Sequence, residues 1–360
     1  MSEIRRLVTA FALAVAGLLL GAVPAGATTL TVRPGESIQA AIDASSPGDT
    51  VLVEPGTYRE YLQIVDKDQI TLEGRKATLM PSPAPSTTLC SQPPEPMPTG
   101  VCVAGRVDLS DPENPIVLRP SVGDRVTGLR IAGYGANGIF AFGTDRFRAD
   151  HNSLSGNGDY GAFSNTSTHT RFDHNTVQGN RGEAGLYVGD SQSAHAVVTR
   201  NKVTGNHGAG IFLRDVSHGV ASRNTVSRNC SGIFLLADAP GPAGHWSIGR
   251  NTVLSNNKEC KATNEGEERT PPLSGLGIVL AGADHTSVTS NVVHGQQRKH
   301  PSAAYGGIAV IKGDKTKPTR DLISRNEATR NSPDINWDRT GSVSFSHNTC
   351  QQSKPASVCR

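Results

Sequence analysis

The sequence is poor in aromatic residues and in charge. Of its 360 residues, 5% are aromatic and 19% are charged, and the charged share is below the quarter usual in soluble domains. There is no long Lys/Arg run and the net charge is only +3, which argues against a nucleic-acid partner. The Ile, Val and Leu content argues against disorder. The 39 glycines and frequent Asn residues indicate short strands joined by turns.

Long apolar runs are also lacking, except at the N-terminus. There, Arg5 and Arg6 precede an apolar run over residues 7–23, and small residues follow it. This pattern predicts a secretory signal peptide over residues 1–27, with an uncleaved membrane anchor as the alternative. We therefore expect the remaining chain, residues 28–360, to be secreted or held at the cell surface without a membrane span.

No CxxC spacing occurs among the 6 cysteines, which argues against a cysteine metal site. In an exported chain, cysteines are expected to form disulfides, and six of them allow 15 pairings. Proximity along the chain favours three short loops, closed by Cys90–Cys102, Cys230–Cys260 and Cys350–Cys359.

What the sequence does contain is a repeat of roughly 23 residues. The phrase Asn-x-aliphatic-x-x-Asn recurs, beginning at Asn152, Asn175, Asn201, Asn224 and Asn251, with looser copies after them. Between its copies lies a second phrase, a glycine followed by alternating apolar residues, as in Ile139 to Ala141 and Ile211 to Leu213. Alternation at period two predicts strands, and a glycine at each start excludes helical repeats.

Stacked copies of such a unit bury a continuous core, so the sequence predicts an all-β solenoid. The Asn columns are interpreted structurally: Asn tolerates left-handed backbone angles at a bend, and its amide can bond the amide in the next coil. An amphipathic helix at residues 37–44 is well placed to cap the N-terminal end. The Pro-rich stretch 81–98 and the polar insertion 257–272 are predicted loops.

The segment from Ser37 to Tyr58, reading SIQAAIDASSPGDTVLVEPGTY, resembles the pectin-lyase-like superfamily when it is taken with the Asn and Gly-Ile columns. The nearest resemblance is to the NosD-like and carbohydrate-binding groups of secreted bacterial repeat proteins. The end of the chain, from residues 332–337 through Cys350 and Cys359, resembles a closing cap. The resemblance covers nearly all of residues 28–360 and implies a single-stranded right-handed parallel β-helix. It implies little about activity, because this fold hosts many functions.

An outward-facing column of aromatic rings is the first candidate site. The second residue after each Gly-Ile glycine is aromatic in five successive coils, and sugar rings stack on such faces. We expect these residues to bind substrate, or else to be covered by a loop as a second apolar cluster. The aromatic column comprises Phe140, Phe163, Tyr187, Phe212 and Phe234.

Charged residues follow these strands at Asp190, Arg214, Asp215, Asp238 and Lys312, with Asp314 beside them. Paired carboxylates near a cation are what uronate lyases, epimerases and glycosidases use, which makes these residues catalytic candidates. The alternative is ordinary polar turn chemistry at strand ends.

A third column, the basic column, precedes the Asn ladder. Either it binds an anionic polymer along the long axis or it is a solvated face with acidic neighbours, and the second interpretation is favoured because exposed charge costs little. Its members are His151, His174, Arg200, Arg223, Arg250, Ser290, Arg325 and His347.

Three enzyme motifs of the superfamily are missing. There is no Asp-Asp pair of the polygalacturonase type, Tyr160-Gly161 lacks the Asp and His that follow it in alginate epimerases, and no pectate-lyase arginine motif stands out. The sequence therefore predicts a protein that binds a polysaccharide or cell-envelope glycan, with a lyase, epimerase or hydrolase acting on acidic glycans as the alternative. A non-enzymatic surface or metal-delivery role is the third alternative.

Cofactors are left open by the sequence. Calcium would suit the carboxylates but no calcium motif occurs, and no set of metal ligands is predicted. With 3 Met, paired cysteines and only scattered His, tight copper binding is not expected.

Overall fold

The computed structural model describes residues 26–91, 97–111, 115–238, 243–261, 263–265 and 268–359. Up to residue 25 the predicted signal peptide lies outside these residues, as do parts of the two predicted loops at 81–98 and 257–272. Within the described ranges, no helix has the length and apolar character needed to cross a membrane.

Each coil contributes one short strand to each of three parallel sheets, which confirms the predicted β-helix. We number the sheets in the order in which the chain visits them from residue 62. Sheet 1 comprises Leu62–Val65, Val101–Ala104, Ile139–Phe142, Ala162–Asn165, Ala184–Ser191, the first part of Ala209–Ser222, Ser231–Leu236, Leu276–Ala281, Gly306–Ile311, Ile335–Trp337 and Ser353–Lys354.

The other two sheets complete each coil. Sheet 2 comprises Thr29–Val32, Thr50–Val53, Thr71–Gly74, Arg125–Thr127, Arg148–Asp150, Arg171–Asp173, Ala196–Thr199, the second part of Ala209–Ser222, Gly244–Gly249, Ser287–Thr289, Thr319–Ser324 and Ser342–Ser346. Sheet 3 comprises Gly56–Arg59, Ala77–Met80, Arg130–Ala132, Ser153–Ser155, Thr176–Gln178, Lys202–Thr204, Thr225–Ser227, Thr252–Leu254, Val292–His294 and Glu327–Thr329.

Smaller elements decorate the coils. Antiparallel pairs join Arg106–Asp108 to Ile116–Arg119 and Thr263–Glu265 to Glu268–Thr270, and a short parallel pair joins Ser121–Val122 to Thr144–Asp145. The described residues include an α-helix, Ile38–Ala44, and two 3₁₀ helices, Leu89–Ser91 and Ala356–Cys359.

The predicted N-terminal helix begins after Ser37, whose side chain accepts a hydrogen bond from the amide of Ala40. Ile38 and Ile42 are fully buried, as the amphipathic pattern predicts, and the helix contacts the first two strands of sheet 2 and the first strand of sheet 1.

Register between coils follows the repeat. In sheet 3, Leu154, Val177, Val203 and Val226 stack on one another with no exposed surface. Burial of each such side chain contributes about 1.5–3 kcal/mol, so the stacked coils share one continuous core. A glycine stands just before or near the start of most sheet 1 strands. At Gly210 it is needed sterically, because a Cβ there would overlap Val226.

The Asn residues form two buried ladders, one on each side of sheet 3. In the first, the Asn152 amide donates to the side-chain oxygen of Asn175 at 3.2 Å, and in the second the Asn157 amide donates to Asn180 at 3.0 Å. This confirms the predicted bonding between coils. The backbone expectation is wrong: the left-handed residue is the one before each Asn of the first ladder, such as His151 and Arg200 with φ of 57° and 55°.

The three disulfides favoured by proximity are all formed. Cα–Cα distances are 5.9 Å for Cys90–Cys102, 5.6 Å for Cys230–Cys260 and 5.4 Å for Cys350–Cys359. The first ties the Pro-rich loop to sheet 1, and the last closes the C-terminal 3₁₀ helix.

Candidate functional site

The aromatic column lies in register on the outer side of sheet 1, as predicted. Neighbouring rings contact one another, with centroids 4.7 Å apart for Phe140 and Phe163 and 4.6 Å apart for Phe163 and Tyr187. The rings are nonetheless covered: Tyr187 is 3% exposed, Phe212 8% and Phe234 9%.

The cover is a second apolar cluster, separate from the core inside the coils. Tyr160, Ala209, Leu276 and Ala304 pack with the aromatic rings there. Stacking on a sugar needs an open ring face. For Tyr187, Phe212 and Phe234 the geometry therefore matches the alternative in which the column is a covered cluster. Phe140 is buried in a separate cluster with Cys90 and Cys102, and Phe163 is half-buried between the two.

Four of the five catalytic candidates come together where sheet 1 ends, and we call them the acid cluster: Asp190, Arg214, Asp215 and Asp238. The Arg214 Nε lies 3.0 Å from an Asp238 carboxylate oxygen, and the Asp238 amide donates to Asp215 Oδ1 at 3.1 Å. Asp190 and Asp215 lie at equivalent positions of adjacent coils, both with left-handed backbone.

The cluster shifts the protonation of its members. Burial, together with the neighbouring Asp238 carboxylate, raises the pKa of Asp215 to about 7. Burial also raises the pKa of Asp190, against the charge of Arg214. At neutral pH the cluster therefore holds an exchangeable proton beside a fixed cation, which is an arrangement suited to general acid–base chemistry.

Lys312, the fifth candidate, is separate from this cluster in the described contacts. Its backbone amide donates to Asp338 at 2.7 Å, while its side chain is exposed. Asp314 is exposed as well.

The basic column lies along the turn between sheets 2 and 3, and its first members are paired with acids. Asp150 is fully buried and contacts Arg125 and Arg148 at 2.7 Å each and His151 at 2.8 Å. Asp173 contacts His174 at 3.1 Å and lies 3.6 Å from Arg200. Hydrogen bonds from Arg125 and His151 hold the pKa of Asp150 well below its usual range despite burial.

The later members face no acid. In the part of the chain that the structure describes, no carboxylate lies within ion-pair distance of Arg223, Arg250 or Arg325. The positions that hold Asp150 and Asp173 in the earlier coils are continued by Thr199, Ser222, Gly249, Thr289 and Ser324.

Beside these cations the outer face of sheet 2 forms a groove of about 680 Å³. Its floor is made of small hydroxylated residues and two aliphatic ones, Val220 and Leu322, which are 38% and 39% exposed. Among the described residues that line it, none is acidic. They are Val220, Ser222, Arg223, Ser247, Gly249, Arg250, Thr289, Ser290, Leu322, Ser324, Arg325, Ser346 and His347.

A column of histidines on the opposite edge of sheet 2 was missed from the sequence. We call it the histidine column: His169, His195, His218, His245 and His285. Its rings stack from coil to coil, 4.7 Å apart for His218 and His245 and 4.9 Å apart for His245 and His285. The signal was present, because each histidine stands six residues before an Asn of the first ladder.

Comparison with known proteins places this geometry in context. The sequence family described as "Periplasmic copper-binding protein (NosD)" matches residues 99–271, which is less than half of the chain. No curated protein sequence matches the chain.

Solved structures match over most of its length. A variant of the periplasmic alginate epimerase AlgG has 14% identity and a TM-score of 0.60, with 90% of this chain and 73% of that chain covered. The Yersinia enterocolitica family 28 exopolygalacturonase has 13% identity and a TM-score of 0.53, with coverage of 91% and 77%. The A-module of the Azotobacter vinelandii mannuronan C-5 epimerase has 14% identity and a TM-score of 0.51, with coverage of 86% and 89%.

At such identities these structures establish the architecture alone. They agree with the parallel β-helix described above. The chain is a right-handed parallel β-helix protein with the pectin-lyase-like fold.

Proposed function

We propose that the protein binds an anionic polysaccharide in the groove over sheet 2, with Arg223, Arg250 and Arg325 contacting its acidic groups. The observation that carries this proposal is a row of cations at the edge of a groove whose described lining has no acid. A guanidinium without a protein partner is free to make paired hydrogen bonds to a carboxylate or sulfate.

The shape of the groove suits an extended polymer. Its lining residues come from five successive coils, and coils stack about 4.8 Å apart, so the groove extends for about 19 Å. A chain laid along the helix axis meets Arg223 and Arg250 in adjacent coils and Arg325 two coils further on. The serine and threonine hydroxyls of the floor supply hydrogen bonds to sugar hydroxyls.

Two further points support a glycan outside the cytoplasm. The structural matches include enzymes named for alginate, polygalacturonate and mannuronan. The three disulfides are typical of proteins in oxidising compartments, and the matching family is described as periplasmic. We therefore propose that the protein acts in the periplasm, at the cell surface or outside the cell.

The test uses two matched double variants. Arg223 and Arg325 are replaced by Gln in one, and Arg228 and Arg330 in the other. All four residues have φ between 56° and 59° and are exposed, and each groove arginine lies in the same coil as its control. Only the first pair lines the groove.

Dissociation constants for alginate and polygalacturonate oligomers are measured by calorimetry. At about 1 kcal/mol for each solvent-exposed contact, the groove pair should weaken binding about 30-fold and the control pair less than twofold. Equal losses in both variants, or no binding by the unmodified protein, would refute the proposal.

A second candidate function is acid–base chemistry on the glycan at the acid cluster. It is favoured by Asp215, which is 2% exposed and whose pKa is raised to about 7 beside Asp238. In this role Asp215 transfers a proton and Arg214 neutralises a sugar carboxylate.

This second candidate is tested by ultraviolet absorbance, which detects the unsaturated ends left by a lyase, and by reducing-end assays, which detect hydrolysis. Asp215→Asn should abolish either signal. Lys312→Ala should leave it unchanged, because the side chain of Lys312 is exposed and its described contact is through the backbone. Activity that survives Asp215→Asn would exclude this candidate.

A further inference from the structure

The histidine column offers nitrogen ligands in a chain that lacks free cysteines in its described part. Five imidazole rings stack along the junction of sheets 1 and 2. The centroids of His169 and His195 are 5.3 Å apart and those of His195 and His218 are 5.1 Å apart. Toward the C-terminal end the stack tightens, and there it meets an aspartate.

That aspartate completes a group of three donors. One ligand atom from each of His245, Asp284 and His285 lies within 4.8 Å of the other two. The His285 Nδ1 is 2.8 Å from one carboxylate oxygen of Asp284, and the His245 Nε2 is 3.8 Å from the other. We propose that His245, Asp284 and His285 bind a divalent first-row transition-metal ion.

The donor set fits such an ion. Two imidazole nitrogens and a carboxylate oxygen suit zinc, nickel or copper and do not suit magnesium, which prefers an all-oxygen shell. Bonds of about 2.0–2.1 Å require donors about 3.3 Å apart, so from a separation of at most 4.8 Å the donors must approach by no more than about 1.5 Å. His245 and His285 can rotate by this amount because their side chains are 46% and 35% exposed.

Turn geometry alone does not account for histidine at these positions. The column occupies left-handed backbone, which His tolerates, but Arg146 and Arg320 occupy the equivalent positions in other coils with the same kind of φ. The neighbouring His218 adds a second observation, because its buried Nδ1 has no hydrogen-bond partner within the described structure. A buried ring nitrogen without a partner costs free energy unless it serves a ligand.

A comparable pair elsewhere lacks the free carboxylate. His151 and His174 stack at 4.9 Å and 7°, the same values as His245 and His285. Their aspartates, Asp150 and Asp173, are held by arginines, whereas the described ion pairs of Asp284 are with the two histidines alone. Only the second pair therefore has an acid available to a metal.

Arg320 is the competitor at this site. The Nη1 of Arg320 lies 2.8 Å from Nε2 of His285. Because arginine can only donate, Nε2 of His285 accepts this hydrogen bond, and the ring proton is on Nδ1, facing Asp284. A metal at Nδ1 replaces this proton and moves a proton to Nε2, which then repels the arginine donor. Arg320 is exposed and can swing away. Replacing it with Gln, whose side-chain oxygen can accept a hydrogen bond from the protonated Nε2 of His285, should tighten metal binding.

The experiment is calorimetric titration of the full chain with Zn²⁺, repeated with Cu²⁺ and with Mg²⁺. We expect one Zn²⁺ per chain, tighter Cu²⁺ binding and no Mg²⁺ binding. His245→Asn and Asp284→Asn should each weaken Zn²⁺ binding at least tenfold, and Arg320→Gln should strengthen it severalfold. The control is His174→Asn, because His174 and His245 have the same φ of 55°. It should change the Zn²⁺ affinity less than twofold.

Histidine ring signals in NMR spectra give a second readout, because only the rings that bind the ion should shift on addition of Zn²⁺. Circular dichroism checks that each variant is folded. If His245→Asn does not fold, the test still rests on Asp284→Asn, which is nearly isosteric with the original residue. Absence of Zn²⁺ binding by the unmodified chain, or equal binding by the Asp284→Asn and His174→Asn variants, overturns the proposal. Neither outcome depends on glycan binding, so the groove is judged separately.

Discussion

The two ends of the basic column share a backbone and differ in chemistry. Around Asp150 and Asp173 the outer face of sheet 2 is a network of ion pairs, in which each acid is nearly or fully buried and is shared by several cations. From residue 220 onward the same positions carry hydroxyls, glycine or aliphatic side chains, and the cations stand beside an open groove. The same turn thus supports stability at one end and is available for binding at the other.

This difference shows why a column of like residues cannot be interpreted from its own members. His151, Arg200 and Arg223 have nearly the same backbone angle and exposure. What separates them is the acid within reach. His151 lies beside Asp150 and Arg200 lies 3.6 Å from Asp173 of the preceding coil, whereas the corresponding residue beside Arg223 is Ser222. The prediction of a face with acidic neighbours therefore describes the first coils, and the later coils are those for which we propose polymer binding.

The largest expected effect is on stability. Asp150→Asn removes a buried charge that contacts Arg125, Arg148 and His151, so the free energy of unfolding at pH 7 should fall by about 3 kcal/mol. The measurement is urea unfolding followed by circular dichroism. Ser222 occupies the position equivalent to Asp150 at the groove end, and Ser222→Ala should change the free energy of unfolding by less than about 0.5 kcal/mol. Equal losses would mean that the two ends do not differ in their ion pairs.

In the unmodified protein, acid should destabilise the Asp150–Asp173 end of the basic column more than the groove end, by on the order of 2 kcal/mol of local stability. Hydrogen bonds and cations hold the pKa values of Asp150 and Asp173 below the ordinary 3.8, so these groups stabilise the fold above that pH and lose the effect as pH falls through their folded values. Below about pH 4, protection of backbone amides against hydrogen exchange, corrected for the intrinsic exchange rate at each pH, should therefore fall first in the strands Arg148–Asp150 and Arg171–Asp173.

Two buried acids provide the internal control. Burial raises the pKa of Asp124 and of Asp321 to about 7 each, and they lie at opposite ends of the molecule. Their ionisation costs stability as pH rises from about 4 to 7, so acidification removes that cost from both ends alike. Uniform exchange along the helix at low pH would contradict the proposed role of Asp150 and Asp173.

The fold was accessible from the sequence because a β-helix repeats its constraints. The Asn phrase, the glycine near the start of most sheet 1 strands and the buried aliphatics such as Leu154 and Val177 recur from coil to coil, so each copy supports the others. The disulfides followed from proximity along the chain.

The sites were less accessible because they depend on contacts that the repeat does not contain. Phe212 faces outward as predicted, but its cover is formed by Leu276 and other residues of different coils. The histidine column has the spacing of the Asn ladder and could have been recognised from the sequence. Its significance depends on Asp284, which lies beside His245 only because the next coil stacks there, after the insertion at 257–272.

A carboxylate introduced into the groove should give the groove end of the basic column an ion pair like those at the Asp150–Asp173 end. In Ser222→Asp the new side chain continues the position of Asp173, next to Arg223. Pairing with it withdraws the arginine from the glycan and adds repulsion, so binding of alginate or polygalacturonate oligomers should weaken about tenfold, equivalent to about 1.4 kcal/mol. In Ser222→Asn the new side chain has the size of aspartate but no charge, and glycan affinity should fall less than twofold. Calorimetry distinguishes the two, and equal effects would indicate steric rather than electrostatic interference.

The smallest expected difference lies at the boundary between the two ends. Arg200 is 3.6 Å from Asp173, while Arg223, one coil on, has no acid within ion-pair distance in the described structure and lines the groove. Arg200→Gln should therefore change glycan affinity less than twofold, and Arg223→Gln should weaken it about fivefold, close to the value of one exposed ionic contact. Both residues have left-handed backbone, with φ of 55° and 57°, so the substitutions strain the turn equally. If Arg200→Gln weakens binding as much as Arg223→Gln, the groove extends across the boundary, and Asp173 does not neutralise its neighbour.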